Sequence, residues 1–77
     1  MKINAVIECG QVKVFINGIP AVCIKQDELV GFHAWIFAHD SYFIEFVLHS
    51  TTITREYDSR DKWERILKAL NKLKLFS

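Results

Sequence analysis

The first 23 residues alternate apolar and polar positions around two short turn signals. Cys9-Gly10 and Asn17-Gly18 each separate two β-rich runs, and Asn-Gly favours a type I′ hairpin turn because both residues tolerate positive φ. Two-residue turns at both places put one set of apolar side chains on a common face. This set is Ile3, Ala5, Ile7, Val12, Val14, Ile16, Ile19, Ala21 and Cys23. Because both turns agree on one apolar surface, the pattern predicts a three-stranded antiparallel meander.

Pro20 adds a constraint on the third strand of this meander. Proline has no backbone N–H, so it occupies edge strands or bulges. We therefore expect the third strand to be an edge, or to bulge, near its start. The charged run from Lys25 to Gly31 is predicted to be a connection.

The segment from Gly31 to Phe46 carries large apolar side chains on both faces of a second predicted hairpin. A two-residue turn at His39 and Asp40 would pair Phe37 with Tyr42, Trp35 with Ile44 and His33 with Phe46. Residues 53–57 alternate well enough to form a further strand.

The C-terminal segment has the apolar spacing of an amphipathic helix. The stripe consists of Trp63, Ile66, Leu67, Leu70 and Leu73. Asp58 or Ser59 is a suitable N-cap. We expect regular helix to end near Leu73, with Leu75 and Phe76 docking irregularly.

These elements predict one α+β domain over residues 1–77. Its strands, about five in an antiparallel meander, lie within residues 2–57, and one helix at about 59–74 packs on one face of the sheet.

The predicted sheet has more apolar surface than one helix can cover. The 77 residues are 51% hydrophobic and 13% aromatic, and so small a domain buries only about 60% of the surface that its unfolded chain exposes. We therefore expect a homodimer that forms by sheet packing or by strand pairing at an exposed edge. A different protein partner fits the same surface. A strongly curved sheet that wraps the helix would hide both faces without a partner.

Charge is uneven along the chain, although the net charge is only +1. Residues 1–58 contain four Lys or Arg and seven Asp or Glu, whereas residues 59–77 contain six and two. A basic ridge of Arg65, Lys68 and Lys72 lies on the helix side away from the apolar stripe. The alternative function is single-stranded DNA or RNA binding by this ridge and sheet aromatics. The candidate aromatics are Trp35, Phe37, Tyr42 and Phe43.

A curved antiparallel sheet followed by one helix with an early tryptophan is broadly similar to the transcriptional-coactivator type of single-strand-binding domain. The resemblance covers the last half of the chain and is one of fold alone. It implies the nucleic-acid alternative and assigns no individual residue.

No motif of an enzyme, metal centre or cofactor site is present. The side chains that could build one are His33, His39, His49, Asp40, Cys9 and Cys23. None of them falls in an HExxH or CxxC pair, and there is no GxGxxG, Walker or GxSxG loop. We therefore expect a protein without catalysis, cofactor or metal.

Signals for export and membrane insertion are also missing from the sequence. The N-terminal residues lack the apolar core of a signal peptide, and no apolar run approaches the roughly 18 residues of a membrane span. Cys9 and Cys23 are expected to be free thiols. The sequence thus predicts a cytoplasmic protein that does not contact membranes.

Overall fold

Six antiparallel strands precede one C-terminal helix in a computed structural model that describes residues 1–75. The elements are β1 (Ile3–Glu8), β2 (Gln11–Ile16), β3 (Ile19–Lys25), β4 (Leu29–Phe37), β5 (Ser41–Leu48), β6 (Thr52–Tyr57) and α1 (Arg60–Lys72). They form two three-stranded sheets, β1-β2-β3 and β4-β5-β6. The predicted α+β class with antiparallel strands and a C-terminal helix is confirmed. The predicted meander of about five strands is roughly right but not exact, because there are six strands and they divide into two three-stranded sheets.

A short turn separates the two sheets. The backbone N–H of Gln26 still donates to the carbonyl of Gly10 across the first sheet, at 2.9 Å. The N–H of Glu28 then donates back to the carbonyl of Lys25 at 3.1 Å. This reversal leads the chain away from β3, so that β4 pairs with β5 and begins a second sheet.

Both predicted turns of the first sheet are present. Cys9 and Gly10 have φ values of 53° and 72°, and Asn17 and Gly18 have 53° and 80°. Positive φ at both positions is the requirement of a type I′ turn. The predicted register of β1 against β2 is confirmed over the whole strand, from the pair nearest the turn to Ile3 opposite Ile16.

The register of β3 differs from the prediction beyond Pro20. Phe15 lies opposite Pro20, whereas the preceding residue Val14 lies opposite Val22, so Ala21 is an extra residue in β3. The irregularity expected at Pro20 is therefore present, as a bulge. A bulge suits this position because proline cannot donate a hydrogen bond to the ladder.

This extra residue reverses the faces of β3, because side chains alternate along a strand. Val22 and Ile24 are only 5% and 3% exposed and lie in the core. Ala21 and Cys23, which the predicted register placed on the apolar face, are exposed. That part of the predicted face is wrong.

The second hairpin turns through three residues instead of two. The loop spans residues 38–40, and Ala38 has a φ of 62°. Phe37 consequently lies opposite Ser41, and Trp35 lies opposite Phe43. The predicted register of this hairpin is wrong by one residue.

The two sheets and the helix share one core. Its buried members are Val12, Val14, Val22, Ile24, Leu29, Ile44, Phe46, Ile66 and Leu70. Phe46 and Ile44 come from the middle strand of the second sheet, and Ile66 and Leu70 come from the predicted helix stripe. The core therefore lies between the inner faces of both sheets and the helix.

Helix α1 begins and ends close to the predicted positions. Ser59 is the N-cap, and its hydroxyl oxygen accepts a hydrogen bond from the N–H of Lys62 at 3.2 Å. Leu73 is the C-cap. Leu75 packs against the core, and the expected docking of Phe76 lies outside the described residues.

Candidate interaction surface

The outer face of the second sheet carries a cluster of aromatic side chains. We call it the aromatic face and define it by His33, Trp35, Phe37 and Phe43. The first three alternate along β4, and Phe43 of β5 lies directly opposite Trp35. Their shared side of the sheet follows from the period of two along a strand.

The rings of His33, Trp35 and Phe43 form a row, because Trp35 contacts both of the others. The centroids of Trp35 and Phe43 are 5.2 Å apart, and their planes differ by only 11°. The imidazole of His33 has the same centroid distance of 5.2 Å to Trp35, with the two planes tilted by 44°. An aromatic pair stacked like Trp35 and Phe43 gains about 0.5–1.5 kcal/mol beyond area burial. The row is therefore held in place before any partner binds.

The side chains of Trp35 and Phe37 remain open to solvent. Trp35 is 37% exposed and Phe37 is 67% exposed. Their neighbours in sequence on the opposite face of the sheet, Ala34 and Ile44, pack towards the helix and the first sheet. No described element covers the outer face, so this aromatic surface is a candidate site of association.

A polar group lies at one end of the aromatic face. The imidazole Nε2 of His33 is 2.5 Å from Oε1 of Glu45, the residue directly opposite it. The hydroxyl of Thr54 on the next strand donates to Oε2 of Glu45 at 3.2 Å. The hydrogen bond from His33 is the main reason that the pKa of Glu45 lies below its ordinary value.

We expect the contribution of this pair to stability to be lost in acid. Because the folded-state pKa of Glu45 is lowered, the contribution is present above the pKa of an unfolded glutamate and disappears as pH falls through the lowered folded value. His33→Ala should move the titration midpoint of Glu45 up towards its ordinary value. Side-chain carboxyl NMR measures this midpoint, and the other carboxyls in the same spectrum serve as controls. An unchanged midpoint for Glu45 would contradict the assigned cause.

The structure separates Tyr42 from the other predicted aromatics. Its position between Ser41 and Phe43 puts it on the inner side of β5, where its ring lies 5.5 Å from that of Trp63. Its hydroxyl donates to the carbonyl of His39 at 3.3 Å. Tyr42 is therefore not part of the aromatic face.

The predicted basic ridge lies elsewhere on the molecule. Arg65, Lys68 and Lys72 line a shallow groove of about 420 Å³ between helix α1 and the start of the chain, with Lys2 on its other wall. Arg65 is held there, because its guanidinium donates to the carbonyl of Met1 at 2.7 Å. The aromatic face points away from the helix, so the structure does not bring the two predicted groups together.

The pairing of His33 with Glu45 beside the aromatic face was not predicted from the sequence. His33 and Glu45 become neighbours only in the observed register, and the predicted two-residue turn placed His33 opposite Phe46. An opposite-charge pair across two strands is a signal that could have favoured the observed register.

A metal centre has no support among the described residues. Within residues 1–75 no three His, Cys, Asp or Glu side chains group together to hold an ion. None of the described helices is long and apolar enough to cross a membrane.

Comparison with known proteins adds no relative. No protein-family model, curated protein or solved structure matches this chain. The functional proposal therefore rests on geometry and chemistry.

Proposed function

We propose that this chain is a small, non-catalytic interaction module that acts as a homodimer. The observation that carries the proposal is the uncovered aromatic face, where Trp35 and Phe37 stay exposed while the opposite face of the sheet supplies Ile44 and Phe46 to the core. Trp35 is already held by its ring contacts, so it loses little conformational entropy when a protein partner covers it.

The charge around the aromatic face supports a protein partner over a nucleic acid. Glu45 lies beside His33, and Glu56 lies opposite Phe43. These carboxylates would repel the phosphates of a strand whose bases stacked on the rings. The lysines that could neutralise phosphates line the groove beside β1, on the helix side.

A reducing cytoplasm is the compartment that we propose. Cys9 and Cys23 are both free and exposed. Structural disulfides are the usual state of paired cysteines in secreted domains of this size.

The solution mass tests the proposal. We expect light scattering over a dilution series to give twice the 9.0 kDa chain mass at the higher concentrations, with little change in high salt because apolar association tolerates salt. A monomer at every concentration would contradict homodimerisation.

An oligonucleotide titration is the complementary measurement. The nucleic-acid alternative requires binding at low salt that falls steeply as salt rises, and that weakens in Lys68→Glu and Lys72→Glu. We expect no such binding. A salt-sensitive complex lost in both variants would overturn the proposal in favour of the alternative.

A further inference from the structure

We infer that the partner surface is the free edge of β4, which pairs antiparallel with β4 of a second copy to join the two second sheets into one six-stranded sheet. This inference rests on the proposed homodimer and assigns its interface. Sheet-on-sheet packing of two aromatic faces is the competing arrangement.

Beyond a bulge at Val30 near its start, β4 lacks the features that protect edge strands from pairing. The edges of the two sheets are β1, β3, β4 and β6. Charged side chains, proline, bulges and covering elements block edges in natural proteins. Strands β1, β3 and β6 carry charged side chains, proline or a covering helix, whereas β4 carries only the bulge at Val30.

Each protected edge is blocked in its own way. Helix α1 packs against β1, which also ends in Glu8. Strand β3 begins with Pro20 and bulges at the next residue. Strand β6 carries Arg55 and Glu56.

Strand β4 is long and apolar by comparison. Its nine residues, LVGFHAWIF, contain no proline, no Asp or Glu and no Lys or Arg. Val30, Ile36 and Phe37 are 51%, 46% and 67% exposed. Within residues 1–75, β5 is the only strand hydrogen-bonded to β4. Such an edge is a template for another strand.

The directions of the backbone groups in β5 show which groups of β4 face the open edge. The N–H of Leu48 donates to the carbonyl of Thr51 at 2.8 Å, on the β6 side of β5. The N–H of the next residue, His49, donates to the carbonyl of Glu28 at 3.0 Å, on the β4 side. Alternate residues of a strand direct their backbone groups to opposite neighbours. Odd-numbered residues of β5 therefore bond to β4.

The register shows which residues of β4 bond to β5 and which face the open edge. Phe43 and Glu45 of β5 lie opposite Trp35 and His33 of β4. Trp35 and His33 therefore direct their backbone groups towards β5. Ala34 and Ile36 are offset by one residue and direct their N–H and C=O groups to the open edge. They are in the right orientation to receive a further strand.

Strand β4 is also complementary to its own copy. An antiparallel pair of identical strands has twofold symmetry, so every contact occurs twice. Like charges that face each other across strands are destabilising, and β4 has no Asp, Glu, Lys or Arg to place in that position. Pairing would also put Trp35 and Phe37 of the two copies on neighbouring strands of one face, so these exposed rings would partly cover one another.

The single chain is compact enough to be studied without its partner. Its accessible surface is 5035 Å², close to the roughly 4,900 Å² expected for a monomer of this mass. A variant that blocks pairing should therefore remain folded.

Ile36→Pro is the variant that tests the edge. Proline removes the outward N–H of a residue that makes no ladder hydrogen bond to β5, and its ring hinders an approaching strand. Glu56→Pro is the matched control, since the same alternation directs the N–H of Glu56 to the outer edge of β6. We expect light scattering to give a folded monomer for Ile36→Pro at concentrations where the wild type and Glu56→Pro are dimers.

Amide exchange of the wild-type chain gives a second measurement that needs no substitution. In the dimer the N–H groups of Ala34 and Ile36 become hydrogen-bonded, and we expect their exchange to slow by about tenfold or more as concentration rises through the dimerisation range. Dimers joined face to face would leave both amides exchanging as fast as in the monomer.

The outcomes separate the two proposals. A wild-type monomer at all concentrations overturns the homodimer and the edge together. A wild-type dimer that persists in Ile36→Pro, or one with unprotected amides at Ala34 and Ile36, overturns the edge alone and leaves the homodimer in place. If Ile36→Pro does not fold, the amide exchange of the wild type decides between pairing at the β4 edge and face-to-face packing.

Discussion

Val22→Asp is expected to prevent folding, whereas Cys23→Asp, one residue further along β3, should leave the fold intact. Val22 is 5% exposed and lies in the core, and Cys23 is exposed. A carboxylate at the buried position has no partner, and an uncompensated buried charge costs several kcal/mol. The free energy of unfolding of a 77-residue domain is only about 4–12 kcal/mol.

Circular dichroism with urea titration distinguishes the two variants. We expect Val22→Asp to show no cooperative transition and Cys23→Asp to keep one close to that of the wild type. The reverse result would mean that β3 has the unbulged register, in which Cys23 and Ala21 face the core.

Phe46→Ala should give the second largest effect. Phe46 is fully buried, and replacing a core phenylalanine by alanine costs about 3–5 kcal/mol through lost burial and the cavity that remains. Phe37→Ala makes the same chemical change at a side chain that is 67% exposed. We expect it to cost less than about 1 kcal/mol when measured at concentrations where the chain is monomeric.

This pair of variants tests the register of the second hairpin. A two-residue turn would put Phe37 and Phe46 on the same face of the sheet, whereas the observed three-residue loop puts them on opposite faces. Urea denaturation midpoints compare the two directly. Equal losses of stability would contradict the observed register.

Local signals in the sequence were sufficient for the elements and for one register. The type I′ turns were predictable because Asn-Gly and Cys-Gly supply the positive φ values that a two-residue turn requires. The helix was predictable because Ile66 and Leu70 recur at helical spacing behind a serine cap.

The registers of β3 and of the second hairpin could not be predicted, because the residue pattern fits two alternatives about equally well. Pro20 indicated an irregularity in β3 but not whether the strand would bulge or simply end there. At the second turn Ala38 adopts a positive φ of 62°, which non-glycine residues seldom do. Since both strands of that hairpin are apolar on both faces, hydrophobicity did not select between two and three loop residues.

The candidate site was likewise predictable only in part. Exposure of Trp35 and Phe37 was predictable from the excess of aromatic residues over what one small core can hide. The separation of Tyr42 and of the basic ridge from the aromatic face was not, because it depends on the one-residue shift and on where the helix packs. The open edge of β4 follows from the split into two sheets, which the predicted single meander lacked.

The most direct test of association through β4 is the solution mass of the wild-type chain, measured beside that of Ile36→Pro at one shared concentration. We expect twice the 9.0 kDa chain mass for the wild type and a single chain mass for the folded variant. Equal masses for the two folded proteins would contradict association through β4.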